Sequence, residues 1–313
     1  MILNDFLIQN ETGLFCAYGN FYLDPKVPVL NAVISHAHGD HACSGNQHVY
    51  CTKATSLFML HRYKKFAAGE FFLKAYHERF MLHGVKITFI SAGHMAGSAQ
   101  VLMEYQGVKY LYTGDYKLQA DPTCEVIEFA EADVLITETT FADPNTQHPN
   151  AEEEIKNLNG TELNIMLGAY ALGKSQRIIR LINDQCPGKR VLVHHSIMPF
   201  VKLYEQLGFD LGKYEMYDRK VMKNNPTGLV YLVPPMVFRS YIKAINVVRV
   251  FASGWKHLQS AQGLQLCISD HVDWNDIIEA IRQVKPKEVW TTHGSGIQLK
   301  DYFKDSLLVK SLN

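Results

Sequence analysis

Four side chains able to hold a divalent cation fall within one short run of this chain, His36-Ala37-His38-Gly39-Asp40-His41. Neutral imidazole with carboxylate as a harder partner is a ligand mixture that zinc favours. The run follows Ala32-Val33-Ile34-Ser35, whose β-branched residues suit a strand, so it lies where a strand hands over to a loop. Alternate side chains there can face two centres, and the small Ala37 and Gly39 leave the approach open. Three further candidates each follow a strand-like run: His94 in Ala92-Gly93-His94, Asp115 in Thr113-Gly114-Asp115, and His293 in Thr291-Thr292-His293-Gly294. Strand ends on one edge of a sheet can gather all seven into a single cleft. The competing reading is a surface cluster or a set of satisfied core histidines, the ordinary fate of a lone histidine.

The elements that must position these residues are mostly strands in the first part of the chain. Strand pattern covers Val27 to Ser35, His48 to Thr52, Val85 to Ser91, Ala99 to Tyr105, Val108 to Thr113 and Asp133 to Glu138, with a helix over Lys53 to Lys65. The polar stretch Asp143 to Asn159 marks a change of character, after which helix and strand alternate. Helices are expected around Gln176 to Asn183 and Phe200 to Leu207, and strands at Arg190 to His194, Leu229 to Val233 and Val247 to Phe251. The end of the chain predicts a strand Leu264 to Ser269, a helix Asn275 to Val284, a strand Glu288 to Thr291 and a helix from Ile297. The pattern therefore predicts an α/β protein with domain limits at 1–143, 144–250 and 251–313.

The 313 residues carry 31 acidic and 31 basic side chains, so no global positive field announces a polyanionic partner. A local patch around a cationic centre can still attract phosphate. The six cysteines form no CxxC pair, nothing at the N-terminus resembles a leader, and no apolar run approaches the ~18 residues that span a bilayer. These features point to a reduced, cytoplasmic protein with no membrane partner.

The set His36, His38, Asp40, His41, His94, Asp115 and His293 resembles the ligand set of the metallo-β-lactamase superfamily, whose αββα sandwich holds two metals at one edge. By that resemblance His36, His38 and His94 would bind one ion, Asp40, His41 and His293 the other, and Asp115 would bridge them. The ions would be zinc, with manganese possible, and a water losing its proton near neutral pH would be the nucleophile. Glu138 in Thr137-Glu138-Thr139-Thr140, His271 in Ser269-Asp270-His271-Val272-Asp273, and His293 before Gly294 further resemble the three later motifs of the β-CASP group, the nucleic-acid-processing branch. That resemblance makes 144–250 an inserted cap. It gives His271 a proton or a phosphate oxygen to hold, Glu138 the task of orienting it, and Asp40 a hydrogen bond to the attacking water. Gly13-Leu14-Phe15-Cys16, Phe21-Tyr22-Leu23-Asp24-Pro25, Gly93 to Gln100, Gly114-Asp115-Tyr116-Lys117 and Phe251-Ala252-Ser253-Gly254-Trp255 are similar to the exonuclease family associated with bacterial DNA ligases. The implied activity is DNA exonuclease action in DNA repair, with a ligase and a helicase as partners. The rival enzyme is a β-CASP ribonuclease, and the rival of another class is an inactive metal-binding scaffold.

Gly168-Ala169-Tyr170-Ala171-Leu172-Gly173-Lys174-Ser175 also satisfies the P-loop pattern GxxxxGK[ST]. The side chains at Ala169 to Leu172 fit poorly in a loop that wraps phosphate with its amides, and the preferred reading is the start of a cap helix. Lys174, Arg177 and Arg180 share one side of that helix, either as contacts to a nucleic-acid backbone or as a solvated face. His195 and Ser196, in His194-His195-Ser196 after a buried strand, are candidate substrate contacts, with a plain polar strand end as the alternative.

Overall fold

In a computed structural model, residues 1–225, 227–240, 247–255, 258 and 264–312 are described. The chain forms two units: residues 1–120, 124–147 and 271–313 make the first, and 121–123 with 148–270 make the second. Among the described residues, no helix is long and apolar enough to cross a membrane.

The first unit contains two sheets. One has the order β1 (Ile8–Asn10), β2 (Gly13–Cys16), β3 (Phe21–Leu23), β4 (Asn31–Val33), β5 (Asn46–Cys51), β6 (Ala68–Leu73). The other has seven strands. Its first five in chain order are β7 (Arg79–Leu82), β8 (Val85–Ser91), β9 (Ala99–Tyr105), β10 (Val108–Tyr112) and β11 (Val134–Glu138). β17 (Glu288–Thr292) and β18 (Leu308–Ser311), late in the chain, add beside β11 in parallel. Inward-facing residues of both sheets, such as Leu14, Phe21 and Val33 against Phe89, Val101, Tyr112 and Trp290, share one buried core. Helix α1 (Lys53–Tyr63) covers the outer face of the first sheet, with Met59 against Ile34 and Val49. Helices α7 (Trp274–Val284) and α8 (Ile297–Phe303) cover the second, with Ile277, Ile281 and Leu299 against Leu111, Leu135 and Val289. This is the αββα sandwich expected from the sequence.

Helix α7 explains itself from its pattern. Trp274, Ile277, Ala280, Ile281 and Val284 recur at helical spacing and are buried, while Asp273 caps the N-terminus by accepting from the Asp276 amide. Asp276 is crowded there: burial first, then the Asp273 carboxylate, push its carboxyl up from 3.8 to about 6. A raised carboxyl favours the folded state while protonated, so this contribution is full below pH 3.8 and is lost as pH rises through about 6. The Asp276→Asn variant is therefore expected to be more stable at pH 7 by about 1 kcal/mol, a figure reduced for the partial exposure of the group. At pH 4 the gain should vanish. Denaturant unfolding at both values checks this, and an equal change at the two would contradict it.

The second unit is a five-stranded parallel sheet of order β14 (Glu215–Met216), β13 (Arg190–Val193), β15 (Leu229–Val233), β12 (Asn164–Gly168), β16 (Val247–Phe251). Helices α2 (Ala151–Ile155), α3 (Lys174–Gln185), α4 (Met198–Gln206), α5 (Arg219–Asn224) and α6 (Pro235–Ser240) intervene. This unit runs to Asp270, beyond the limit at 250 that the sequence suggests, because β16 pairs with β12 and the chain after it stays attached. Ala252 bridges to Leu266, and the Cys267 amide donates to Glu154. The strand expected at Leu264 to Ser269 does not form. The Ile268 and Ser269 carbonyls accept instead from the side chains of Lys174 and Arg177.

Candidate metal centre

Within the first unit β8, β10, β11 and β17 run the same way, since β8 and β10 both pair antiparallel with β9 and the others pair in parallel. Their C-terminal ends therefore share an edge. His94, Asp115, Glu138 and His293 sit at or just beyond those ends, and the His36 to His41 loop follows β4 of the facing sheet.

Local bonds hold each segment. The loop turns through amides of His41 and Ala42 that donate to the His38 carbonyl at 3.2 and 2.9 Å, and Arg62 donates to the Ala37 carbonyl at 2.6 Å. Ser98 Oγ accepts from the His94 amide at 3.0 Å. Two glycines permit close approaches: Gly114 (φ +55°), where a Cβ would lie 2.8 Å from Ser35, and Gly93 (φ +66°), where it would lie 2.7 Å from the Lys117 carbonyl.

The ring centroids of His36, His38 and His94 lie 4.8 to 4.9 Å apart with planes at 79° to 90°, so three imidazoles converge from different directions. His94 Nε2 is 3.1 Å from His38 Nδ1, and Asp115 Oδ2 lies 3.5 Å from His36 Nε2 and 3.9 Å from His94 Nε2. On the other side of Asp115, His41 Nε2 is 3.3 Å from Oδ2, and the His41 and His293 rings are 5.2 Å apart. Among the described residues four donor groups result; two of them, His36–His38–His94–Asp115 and His41–Asp115–His293, have Asp115 in common, and Asp24–His36–His41 and Asp115–Glu138–His271 are the others. Asp40 stands apart from these groups: its side chain is 78% exposed and its Oδ2 is 3.9 Å from His41 Nε2.

The buried His36 Nε2 has no hydrogen-bond partner, an expensive condition unless the atom serves a ligand. Burial and the neighbouring His41 charge hold the His36 pKa well below its usual range. Its lone pair is thereby kept available. For His41 burial works against the charged form, but Asp115 and Asp24 outweigh it and raise the pKa well above normal. Asp115 is likewise held well down, because His41 and His271 overcome its burial. One imidazolium facing a carboxylate that three other imidazoles approach suits divalent cations, which would displace that proton on binding.

Behind the donor histidines stands Asp24, which was not singled out as a site residue from the sequence. Its carboxylate accepts from the Ser35 amide (2.7 Å), Ser35 Oγ (2.5 Å), His41 Nδ1 (2.9 Å) and Tyr112 Oη (3.0 Å), while Ser35 Oγ also meets His36 Nδ1 at 3.0 Å. Asp24 thus fixes the orientation of His36, through Ser35, and of His41. An apolar strand ending in an acid just upstream of the histidine run was the available signal. Asp24→Asn is expected to weaken metal affinity about 10- to 100-fold while the chain stays folded, as read by chelator competition. Unchanged affinity would reduce Asp24 to a packing role.

Glu138 is fully buried, and His271 Nδ1 lies 2.9 and 3.0 Å from its two oxygens, with Asp115 Oδ2 at 3.9 Å. The Tyr116 amide donates to Glu138 Oε1 at 3.2 Å, tying the pair to the segment after Asp115. His271 is partly exposed, and its Nδ1 is engaged by Glu138.

In the second unit, the P-loop pattern does not make a phosphate cradle. The Gly173 amide donates to Gln176 Oε1 and the Ser175 amide to the Tyr170 carbonyl. Lys174 is buried, donates to the Ile268 carbonyl at 2.6 Å and pairs with Asp270 at 3.2 Å, so it is not a surface contact for substrate. Arg177 is buried against Asp270 at 2.9 Å and Asp121 at 3.5 Å, and Arg180 pairs with Asp184 and Asp210. The basic helix side is therefore spent on internal ion pairs. His195 and Ser196 are exposed at the end of β13, with Ser196 Oγ 2.8 Å from His194 Nδ1.

No family model matches the chain. It is 28% identical over 306 residues, 92% of its length, to a "Probable DNA ligase" of Opitutus terrae, of which it covers 29%. It is 30% identical over 192 residues, 51% of its length, to an "RNase J-like protein" of Methanocaldococcus jannaschii, of which it covers 45%. Over 117 residues, 35% of its length, it is 33% identical to "Endoribonuclease ysh1" of Schizosaccharomyces pombe, of which it covers 15%. The chain thus spans less than half the length of each of these relatives. An αββα sandwich with a histidine and aspartate centre at one sheet edge defines a metallo-β-lactamase fold protein. The relatives, a probable DNA ligase, an RNase J-like protein and an endoribonuclease, are in keeping with the resemblance to the β-CASP group of the metallo-β-lactamase superfamily.

Proposed function

We propose that this chain is a metal-dependent phosphodiesterase acting as a DNA exonuclease in DNA repair. The observation that carries the reading is the convergence of His36, His38, His94, His41 and His293 on the single carboxylate of Asp115. His36, His38 and His94 would hold one ion, His41 and His293 the other, and Asp115 would serve both. Asp40 would join the second set by turning its exposed carboxylate toward His41. When bound, two divalent cations, zinc or manganese, supply Lewis acidity that makes water nucleophilic near neutral pH and offsets charge developing on phosphate.

The chain's own groups do the rest. Glu138 holds His271 by Nδ1 and stabilises its imidazolium, which would deliver the Nε2 proton to the departing oxygen and remain neutral with Nδ1–H on Glu138. The second unit acts as the cap of the group, with His195 and Ser196 as candidate contacts to the strand backbone.

DNA is favoured over RNA by the relative that matches nearly the whole chain, whose name is that of a DNA ligase and whose greater length leaves room for further domains. The same relative supports a ligase as partner. A helicase partner and a cytoplasmic location rest on the family resemblance alone. The RNase J-like and endoribonuclease relatives favour the alternative of RNA cleavage. Incubating wild type and Asp40→Ala with end-labelled single-stranded DNA and RNA separates the two. Degradation of DNA by wild type and its loss in the variant is the expected result. Cleavage of RNA only would overturn the choice of substrate, and fewer than one metal ion per chain would favour an inactive scaffold.

A further inference from the structure

Helix α1 and the turn after it, all within the first unit, carry an uncompensated positive charge. Between Asp40 and Glu70 no acidic residue occurs, while Lys53, Arg62, Lys64 and Lys65 supply four cations, in a chain whose acids and bases number 31 each. Lys74, Lys86, Lys285 and Lys287 of the same unit each pair with a carboxylate. Among the described residues Lys53, Lys64 and Lys65 have no carboxylate partner, and all three are exposed. The excess charge acts on its surroundings, since the His61 pKa is lowered by burial first and then by Lys64 and Arg62.

Position ties this charge to the centre. Arg62 donates to the carbonyl of Ala37, which stands between two donor histidines, and the Gly45 amide donates to the Phe66 carbonyl at 2.9 Å. Residues 62–66 are thus held at both ends by residues 36–45, the segment that carries His36, His38 and His41. Lys53 and Lys64 lie three helical turns apart on one exposed face of α1, about 16 Å at 1.5 Å per residue, a span of several phosphates. Phe66 is 67% exposed, and Lys65 Nζ lies 5.1 Å from its ring centroid. Cations beside an open aromatic face match a single strand, which offers phosphates to the ammonium groups and an unstacked base to the ring. An acidic peptide would satisfy the lysines alone.

We infer that this ridge, Lys53, Arg62, Lys64 and Lys65 with Phe66, holds the backbone of a single strand whose scissile bond lies at the centre. The inference rests on the nuclease reading above, and its test separates the two. Metal-loaded wild type, the double variant Lys64→Gln with Lys65→Gln, and Phe66→Ser are compared. Binding of a phosphorothioate oligothymidylate of about 20 nucleotides, which keeps the backbone charge and resists hydrolysis, is read by fluorescence anisotropy between about 50 and 200 mM salt. Turnover is read on the p-nitrophenyl ester of thymidine monophosphate, and metal content is measured on each protein. Loss of two phosphate contacts should flatten the slope of log affinity against log salt by about 1.4, so that wild type loses roughly sevenfold more affinity than the double variant over that range. Phe66→Ser should lose about tenfold in affinity with its slope unchanged, the effect of one unstacked base. Ester turnover and metal content should stay at wild-type values in both, because one nucleotide does not reach the ridge.

An unchanged slope in the double variant, unchanged affinity in Phe66→Ser, or ester turnover that falls in parallel with strand affinity would each overturn the ridge with the metal centre intact. Polyglutamate bound as tightly as the oligothymidylate would make this surface a docking face for an acidic protein and overturn the choice of a strand. Salt-dependent strand binding by a chain that holds no metal would overturn the nuclease reading and leave the ridge standing.

Discussion

Asp115→Asn is expected to leave a folded chain that holds less than one metal ion and has lost on the order of 10³-fold or more in phosphodiester hydrolysis. The size follows from position. Asp115 Oδ2 lies 3.3 to 3.9 Å from nitrogens of His41, His36, His94 and His271, and among the described residues it belongs to three of the four donor groups. An amide keeps the shape but removes the negative charge on which two cations would depend. The loss should therefore exceed the 10- to 100-fold expected for Asp24→Asn, which disturbs ligand orientation only. Metal analysis beside circular dichroism tests the assignment. A variant that unfolds without metal would make Asp115 a structural residue, and a variant that keeps two ions and full activity would refute its bridging place.

The cluster of histidine and aspartate side chains was legible because its members announce themselves locally, at strand ends and in one compact run. Strands such as Val85–Ser91 and Ala99–Tyr105 were legible for a related reason: each is long, β-branched or aromatic, and bounded by turn residues. The missed elements lack those marks. β1 and β3 are three residues each, β6 contains Gly69 and lies at a sheet edge, and β12 is a short buried run whose length does not separate strand from helix.

Long-range pairing was the other blind spot. Asp24 is one of 31 acidic residues, and its place at an apolar strand end, the one local signal, does not tell that His41, Ser35 and Tyr112 close over it. Lys174 and Arg177 have the periodicity of a solvated basic side. They are buried because Asp270 and Asp121, far away in sequence, reach α3 within the second unit. The same contacts carry that unit past residue 250.

His271→Ala is expected to retain its metal yet lose about 10²- to 10⁴-fold in kcat on DNA, the range for removal of a positioned general acid. His271 Nδ1 lies 2.9 Å from the fully buried Glu138, whose carboxylate stabilises the imidazolium; that doubly protonated ring gives its Nε2 proton to the departing oxygen and keeps the Nδ1 proton on the bond to Glu138. The departing sugar oxygen is a poor leaving group and requires that proton. A p-nitrophenyl ester of a nucleotide does not, because p-nitrophenolate leaves unprotonated at neutral pH. The variant should consequently lose less than about tenfold on the nitrophenyl ester, a contrast that a merely structural histidine would not produce. Glu138→Gln should show the same contrast with a smaller loss, about 10- to 100-fold on DNA, since an amide can still meet Nδ1 but no longer stabilises the imidazolium. Equal losses on the two substrates would move His271 from proton donation to gripping a phosphate oxygen, because a binding contact is indifferent to what leaves.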